Sequence, residues 1–350
     1  MTDQPDTARV EERAAEFRSR FLAIASEVGR MIVGQKSVVE EVLICLFAGG
    51  HCLLEGVPGL GKTLLVRTLS DILELKFRRI QFTPDLMPAD IMGTNLIMED
   101  ESGRRRFEFQ EGPIFGQIIL ADEINRATPK TQSALLEAMQ ERSVTVGGTM
   151  HRLQAPFLVL ATQNPLEMDG TYPLPEAQLD RFMFKVVVGY PTRQEMSTVL
   201  DRTVDAFEYK PQVLMAGPEI ELWKDLIRSV VVAPHVKDYG VRLVLATHPG
   251  GEHAVELTNR YVRWGSSPRG AQAMTLAAKI RALLDGRFNA SFEDYRGAAH
   301  PVLRHRLILN FEGEAEGVKA DTVIDQVLER IPRVPPQGAG AAEAALEAKP

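Results

Sequence analysis

The chain has 350 residues with 45% hydrophobic content, long enough to bury a large core and to divide into two domains. A formal net charge of −7 argues against a protein built mainly to coat nucleic acid, although local basic patches remain compatible with it. There is no run of 18 apolar residues, and Met1-Thr2-Asp3-Gln4-Pro5 lacks a basic region followed by an apolar one, so the sequence implies a soluble, cytoplasmic protein that is not membrane-embedded.

Residues 1 to about 8 are polar and predict a frayed end. A charged amphipathic helix follows, with Phe17, Phe21, Leu22 and Ile24 set among Glu and Arg. The two cysteines, Cys45 and Cys52, sit in apolar segments without CxxC or Cys/His metal spacing, so they read as small core hydrophobes in a reducing compartment. His51 to Glu55 then reads as a buried strand, and Thr63 to Leu69 carries helical periodicity.

Between strand and helix lies Gly56-Val57-Pro58-Gly59-Leu60-Gly61-Lys62-Thr63, a complete phosphate-binding loop. Its glycines let the backbone curl so that successive N–H groups point at phosphate oxygens, and the following helix adds its positive end. Lys62 reaches the β and γ phosphates, the Thr63 hydroxyl ligates Mg²⁺, and Leu64 opens the helix beside them. The expected ligand is therefore a nucleoside triphosphate with its magnesium ion.

Further strands are expected over Arg78 to Phe82, Gln117 to Ala121, Phe157 to Thr162 and Phe184 to Val188, alternating with helical segments. That alternation predicts a parallel five-stranded α/β sheet with helices on both faces. Two hairpins interrupt it: 95–98 with 104–110 around Asp100-Glu101-Ser102-Gly103, and 143–146 with 149–153 around Gly147-Gly148. In the first, Phe107 and Phe109 alternate with Glu108, giving that arm one apolar face that packs either on the chain's own core or on a partner.

The strand Ile118-Ile119-Leu120-Ala121 ends in Asp122 and Glu123, about 60 residues after the phosphate loop. Asp122 is placed to hold Mg²⁺ and Glu123 to polarise an attacking water as general base, and the two motifs together specify hydrolysis. Thr128 is expected to cap the next helix, with Pro129 at its first position and Ala134, Leu135, Ala138 and Met139 as its buried stripe. Asn164, at the polar tip of Phe157 to Asn164, lies either beside the γ-phosphate or in a turn before Pro165.

After Gly189-Tyr190-Pro191 strands give way to helical periodicity, as in Gln272 to Leu284, predicting an all-helical domain from about 192 to 333. His248 and His253 bracket Pro249 to Glu252 without a third ligand and read as solvated loop residues. Residues 334 to 350, rich in Pro, Gly, Ala and Glu, are expected to be disordered.

With these motifs in this order the chain resembles the AAA+ ATPases of the helix-2-insert branch, and specifically the MoxR family. The resemblance runs from about Ile32 to Gly317. It is carried by Val33-Gly34-Gln35, Glu55 to Thr63, Ala121-Asp122-Glu123-Ile124-Asn125-Arg126-Ala127, Ala161 to Pro165, Leu174 to Phe182, Ser267-Pro268-Arg269-Gly270 and Pro301 to Arg306. It implies that Gly34 and Gln35 line an adenine pocket, that Arg181 is an arginine finger acting on a neighbouring subunit with Arg126 as a rival, and that Arg269 is the sensor arginine of a helical lid. It further implies ATP hydrolysis by a homo-oligomer, a hexameric ring, acting as a chaperone-like factor on a client protein, with an adaptor carrying a von Willebrand factor A domain. The 95–110 hairpin resembles the helix-2 insert but lacks the Gly-Ala-Phe-Thr-Gly-Ala signature of enhancer-dependent activators. A slow nucleotide-dependent binding switch and a chelatase-type or DNA-associated motor are the competing functions. No DNA-binding module is visible, so no nucleic-acid partner is expected.

Overall fold

A computed structural model describes residues 7–99, 105–164, 170–204 and 209–334. The expected fraying of residues 1–6, the turn of the first hairpin and the tail from 335 onward lie outside the described residues. The chain falls into two compact units, one reaching Ser229 and including Leu283–Gly286, the other formed by Val230–Ala282 and the chain from Arg287. Sequence periodicity placed the change at about 192, whereas the two helices between 193 and 229 pack with the first unit.

The first unit opens with α1 (Thr7–Met31), which buries Phe17, Phe21, Ile24 and Val28 at the 3.6-residue spacing of one helix face. Leu22 does not join them; it lies about 100° round the helix from Phe21 and is 51% exposed. The helix α2 (Lys36–Ala48) is buried along most of its length and stops at Gly49, whose left-handed φ of 71° turns the chain into β1 (Cys52–Glu55). Both cysteines are buried and free, as expected of core hydrophobes.

From β1 the chain passes through α3 (Lys62–Ile72) to β2 (Phe77–Gln81), then α4 (Pro88–Met92) and the antiparallel pair β3 (Gly93–Glu99) and β4 (Arg105–Glu111). It continues through β5 (Ile118–Asp122), α5 (Pro129–Glu141) and a second antiparallel pair, β6 (Ser143–Val146) and β7 (Thr149–Arg152). Next come β8 (Leu158–Gln163), the single turn α6 (Glu176–Leu179), β9 (Phe184–Val187), α7 (Arg193–Val204) and α8 (Gly217–Ser229). The five sheet strands lie in the order β2-β5-β8-β1-β9, all parallel. The inner strands β1, β5 and β8 are unbroken buried runs, because helices cover both faces of a parallel sheet. β2 is an edge and exposes Arg78, Arg79 and Gln81.

Two local expectations fail on α5. Thr128 occupies the capping position but makes no side-chain cap, since its hydroxyl meets that of Thr131 instead (3.3 Å), and Ala134 is only half-buried while Gln132 and Leu136 are buried. The two hairpins touch: Phe109 stacks on His151 of β7 (3.9 Å between ring centres) and meets Phe115 edge-on (5.5 Å). Phe107, paired with Ile97 at the outer end of the same face, is 76% exposed. The apolar face is thus divided, its inner part packed on the chain and its outer part bare.

The second unit holds α9 (Pro234–Leu245), α10 (Glu256–Tyr261), β10 (Val262–Trp264), most of α11 (Pro268–Leu284), α12 (Phe292–Leu303), β11 (Ile308–Leu309), α13 (Phe311–Ala315) and α14 (Ala320–Arg330). It is helical apart from the short antiparallel pair β10–β11 and a bridge between Val231 and Asn289, pairings too brief to leave a period-2 pattern. In the Pro301 to Arg306 motif, Arg304 makes two 2.8 Å bonds to Asp321 and so ties the end of α12 to α14. Among the described residues no helix is long and apolar enough to cross a membrane.

Candidate functional site

The phosphate loop leaves the carboxyl end of β1, between β8 and β9, at the edge where open α/β sheets place ligands. Gly59 (φ 82°) and Gly61 (φ 75°) are left-handed, which curls the loop into a nest of N–H groups. Gly61 caps α3 without a side-chain acceptor, so the first N–H groups of that helix take no acceptor from the cap. Lys62 folds over the loop, its Nζ donating to the Gly56 carbonyl (2.7 Å). Burial lowers the pKa of its ammonium, while Asp122 and Glu123 pull it back up. Gly56 itself is enclosed, because a Cβ there would meet the Val188 carbonyl at 2.8 Å. A curled donor loop with a lysine across it fits a chain of phosphates.

Asp122 and Glu123 stand at the exit of β5, one strand beyond β8. Thr162 of β8 joins them, since its hydroxyl donates to Asp122 Oδ1 (2.6 Å) and accepts from the Glu123 backbone N–H (2.8 Å). That second bond supports Glu123 in a left-handed conformation (φ 56°) which a side chain other than glycine adopts at a cost. From the edge strand Arg79 pairs with Asp122 Oδ2 (2.7 Å), and Gln81 donates to Glu123 Oε2 (3.0 Å). Arg126 reaches the same Glu123 oxygen at 3.0 Å. Thr63, exposed at the start of α3, and Asp122 offer the oxygen donors that Mg²⁺ takes. Among the described residues no group of three His, Cys, Asp or Glu is placed to hold a metal by itself.

Asn164 is buried directly after β8, whose Gln163 carbonyl accepts from the Gly56 N–H (3.3 Å), so it stands at the loop's flank. Gln35 touches the loop itself, its Nε2 donating to the Leu60 carbonyl (3.0 Å), and Gly34 precedes it with a φ of 68°. Arg181 lies elsewhere. Met183, two residues on, bonds the His51 carbonyl at the entrance of β1, so about 16 Å of strand separates that end of the sheet from the phosphate loop. Its guanidinium donates to the Leu136 carbonyl (2.7 Å) on the wall of a cleft of about 340 Å³ between α5 and α6. Arg269 is exposed near the start of α11 in the second unit. His248 is no solvated loop residue, since its Nε2 donates to the Ser266 carbonyl (2.8 Å).

The sequence alone points to the loop and the acidic pair but gives no comparable motif for Arg79, Gln81 or Thr162. A faint signal existed in Thr162, a polar residue in an apolar central strand, and in the alternation of Arg79 and Gln81 on one face of β2.

The ATPase family associated with various cellular activities (AAA) matches residues 51–184, and an AAA lid domain matches residues 255–327. The chain is 42% identical to the chaperone MoxR1 of Mycobacterium tuberculosis over 330 residues, 93% of this chain and 86% of that protein. It is 31% identical to the protein MoxR of Paracoccus denitrificans, with 92% of this chain and 99% of that protein covered. A crystal structure of a candidate ATPase from Cytophaga hutchinsonii matches with a TM-score of 0.87 at 41% identity, covering 94% of this chain and 99% of that one. With an AAA sheet carrying a phosphate loop, a lid domain and these relatives, the chain belongs to the MoxR family of AAA+ ATPases.

Proposed function

We propose that this chaperone-like ATPase spends ATP to remodel, mature or activate a partner protein. The observation that carries the reading is the convergence of Lys62, Asp122, Glu123 and Thr162 at the carboxyl end of the sheet strands, with Arg181 near the opposite end. In this reading Gly56 to Leu64, with Gly34 and Gln35, hold the nucleotide, and Thr63 and Asp122 hold Mg²⁺. The ion, when bound, neutralises charge on the β and γ phosphates. Glu123 takes the proton of the water that attacks the γ-phosphorus as the bond to the bridging oxygen breaks, and Asn164 orients that water. Arg181 is too far from its own loop to help there, so it serves a neighbouring copy in a ring, a hexamer by family expectation, while Arg269 acts from the lid. The client, and an adaptor with a von Willebrand factor A domain, would engage the assembled ring. The competing reading, a slow binding switch, draws on Glu123 already accepting from both Gln81 and Arg126, which lowers its availability as a base.

Lys62→Ala and Glu123→Gln test the site. The first removes a phosphate contact and is expected to lose ATP binding; the second removes only the base and is expected to bind ATP and release phosphate at least 10²-fold more slowly. Equal, near-normal hydrolysis in both variants would remove the assignment. Wild-type turnover that stays unchanged by a purified client and adaptor would favour the switch.

A further inference from the structure

Four contacts close a ring beside the phosphate loop. Val188, at the end of β9, donates its N–H to the Glu55 carbonyl (2.8 Å) and crowds Gly56. The chain then runs through Gly189, Tyr190 and Pro191 to Thr192, at the head of α7. There Thr192 and Glu195 cap the helix reciprocally: the Thr192 N–H (2.7 Å) and hydroxyl (2.8 Å) donate to Glu195 Oε2, and the Glu195 N–H reaches back to the hydroxyl (3.3 Å). The other oxygen, Oε1, rests against Gly34, where any Cβ would overlap it. Gln35 then returns to the loop through Leu60.

This ring lies on the β9 side of β1, while Asp122 and Glu123 lie on the β5 side. If the attacked γ-phosphate sits by the carboxylates, the base leaves the loop on the opposite flank, into the ring. There Glu195 Oε1 offers an acceptor that takes no hydrogen bond among the described residues, the capping bonds going to Oε2. Hydrogen bonds from the Thr192 backbone and hydroxyl lower the pKa of this carboxyl, which keeps it ionised. Adenine carries an amino group at position 6, a donor; guanine and hypoxanthine carry a carbonyl there, an acceptor. Resting on the nucleotide-binding reading above, we propose that Glu195 selects the base of the nucleotide, accepting a hydrogen bond from a 6-amino group and repelling a 6-carbonyl. Gly34 is glycine in this scheme so that the carboxylate can reach the base edge.

The test uses Glu195→Gln in the full-length chain. Glutamine retains an acceptor for the capping box and so holds α7, but it replaces the second oxygen by an amide donor. ATP, GTP and ITP are compared by displacement of a fluorescent nucleotide from wild type, Glu195→Gln and Glu195→Ala, with melting temperatures in parallel. Wild type is expected to prefer ATP over both GTP and ITP by about 30-fold or more, a modest value for a half-exposed polar contact. Glu195→Gln is expected to keep the wild-type melting temperature while that ratio falls to about threefold or inverts, and Glu195→Ala to lose both the ratio and some stability. Wild type that binds ATP and GTP equally, or a Gln variant with an unchanged ratio, overturns the proposal and leaves the phosphate site standing. Wild type that binds none of the three overturns the phosphate site itself, and this inference with it.

Discussion

Thr162→Val isolates the hydroxyl that joins Asp122 to the Glu123 backbone. The position is fully buried, and valine replaces the hydroxyl by a methyl of similar size, so the surrounding packing is retained. What is lost is specific. The Glu123 N–H loses its acceptor at 2.8 Å, and Asp122 Oδ1 loses its donor at 2.6 Å. An orphaned buried N–H costs about 1–3 kcal/mol and a charge-assisted bond about 1.5–3 kcal/mol, against a gain of about 1 kcal/mol from the buried methyl. The net cost is therefore about 1.5–5 kcal/mol. Part of it appears as stability. The rest appears in the chemistry, because Glu123 in its left-handed conformation loses the bond that holds it there. A share of about 2.7 kcal/mol corresponds to a 10²-fold loss in kcat. Steady-state phosphate release, nucleotide binding and urea unfolding are to be measured on Thr162→Val and Thr162→Ser. The expected pattern is kcat down about 10²-fold in the Val variant with ATP binding within about threefold, and recovery of most activity by Ser, which restores the hydroxyl. A Val variant with near-normal kcat, or a Ser variant as poor as Val, would refute the positioning role.

Arg181→Ala is expected to bind ATP normally and to hydrolyse it about 10³-fold more slowly, about 4 kcal/mol, with partial recovery on mixing with Lys62→Ala protein; a dead mixture that co-assembles would sink the action in trans. Burial lowers the pKa of the His51 imidazole to about 4. Because this lies below its unfolded value near 6.5, the His51 contribution is whole above that pH and is lost as pH falls towards 4, by up to about 3 kcal/mol at 1.36 kcal/mol per unit. Unfolding followed from pH 7 to 4.5 should therefore show a steeper acid decline in wild type than in His51→Gln, and parallel declines would disprove it. Phe107→Ala is expected to leave melting temperature and basal ATPase unchanged but to abolish activation by a client, whereas Phe109→Ala, which loses the His151 stack, should lower the melting temperature by about 4 °C or more. Full client activation of the Phe107 variant would free that tip of a role.

The loop and the acidic pair were legible because each is contiguous: a curl of glycines and a strand that stops being apolar are local events. The buried strands were legible for the same reason, since a central parallel strand must be apolar throughout. Arg79, Gln81 and Thr162 were not, because their meaning depends on β2, β5 and β8 lying side by side in register, 43 residues separating Arg79 from Asp122 and 40 separating Asp122 from Thr162. Leu22 is as apolar as its buried neighbours, and only its angle round the helix sets it outside. Thr128 has the right type at the right place, but a neighbouring hydroxyl outcompeted the backbone for it. Phe109 and Phe107 are two residues apart on one strand face, and only the approach of the second hairpin decides that one is packed and the other bare.

Arg79 also belongs to the margin of the sheet. An edge strand is a template on which a foreign strand can add, and β2 carries Arg78 and Arg79 side by side, both exposed. The charge that a newcomer would have to desolvate is not a loose one, because Asp122 fixes the Arg79 guanidinium in place. The margin of the sheet and the acidic pair therefore share one side chain. Exchanging Arg79 for an apolar residue would at once strip Asp122 of its partner and leave the margin open to self-association.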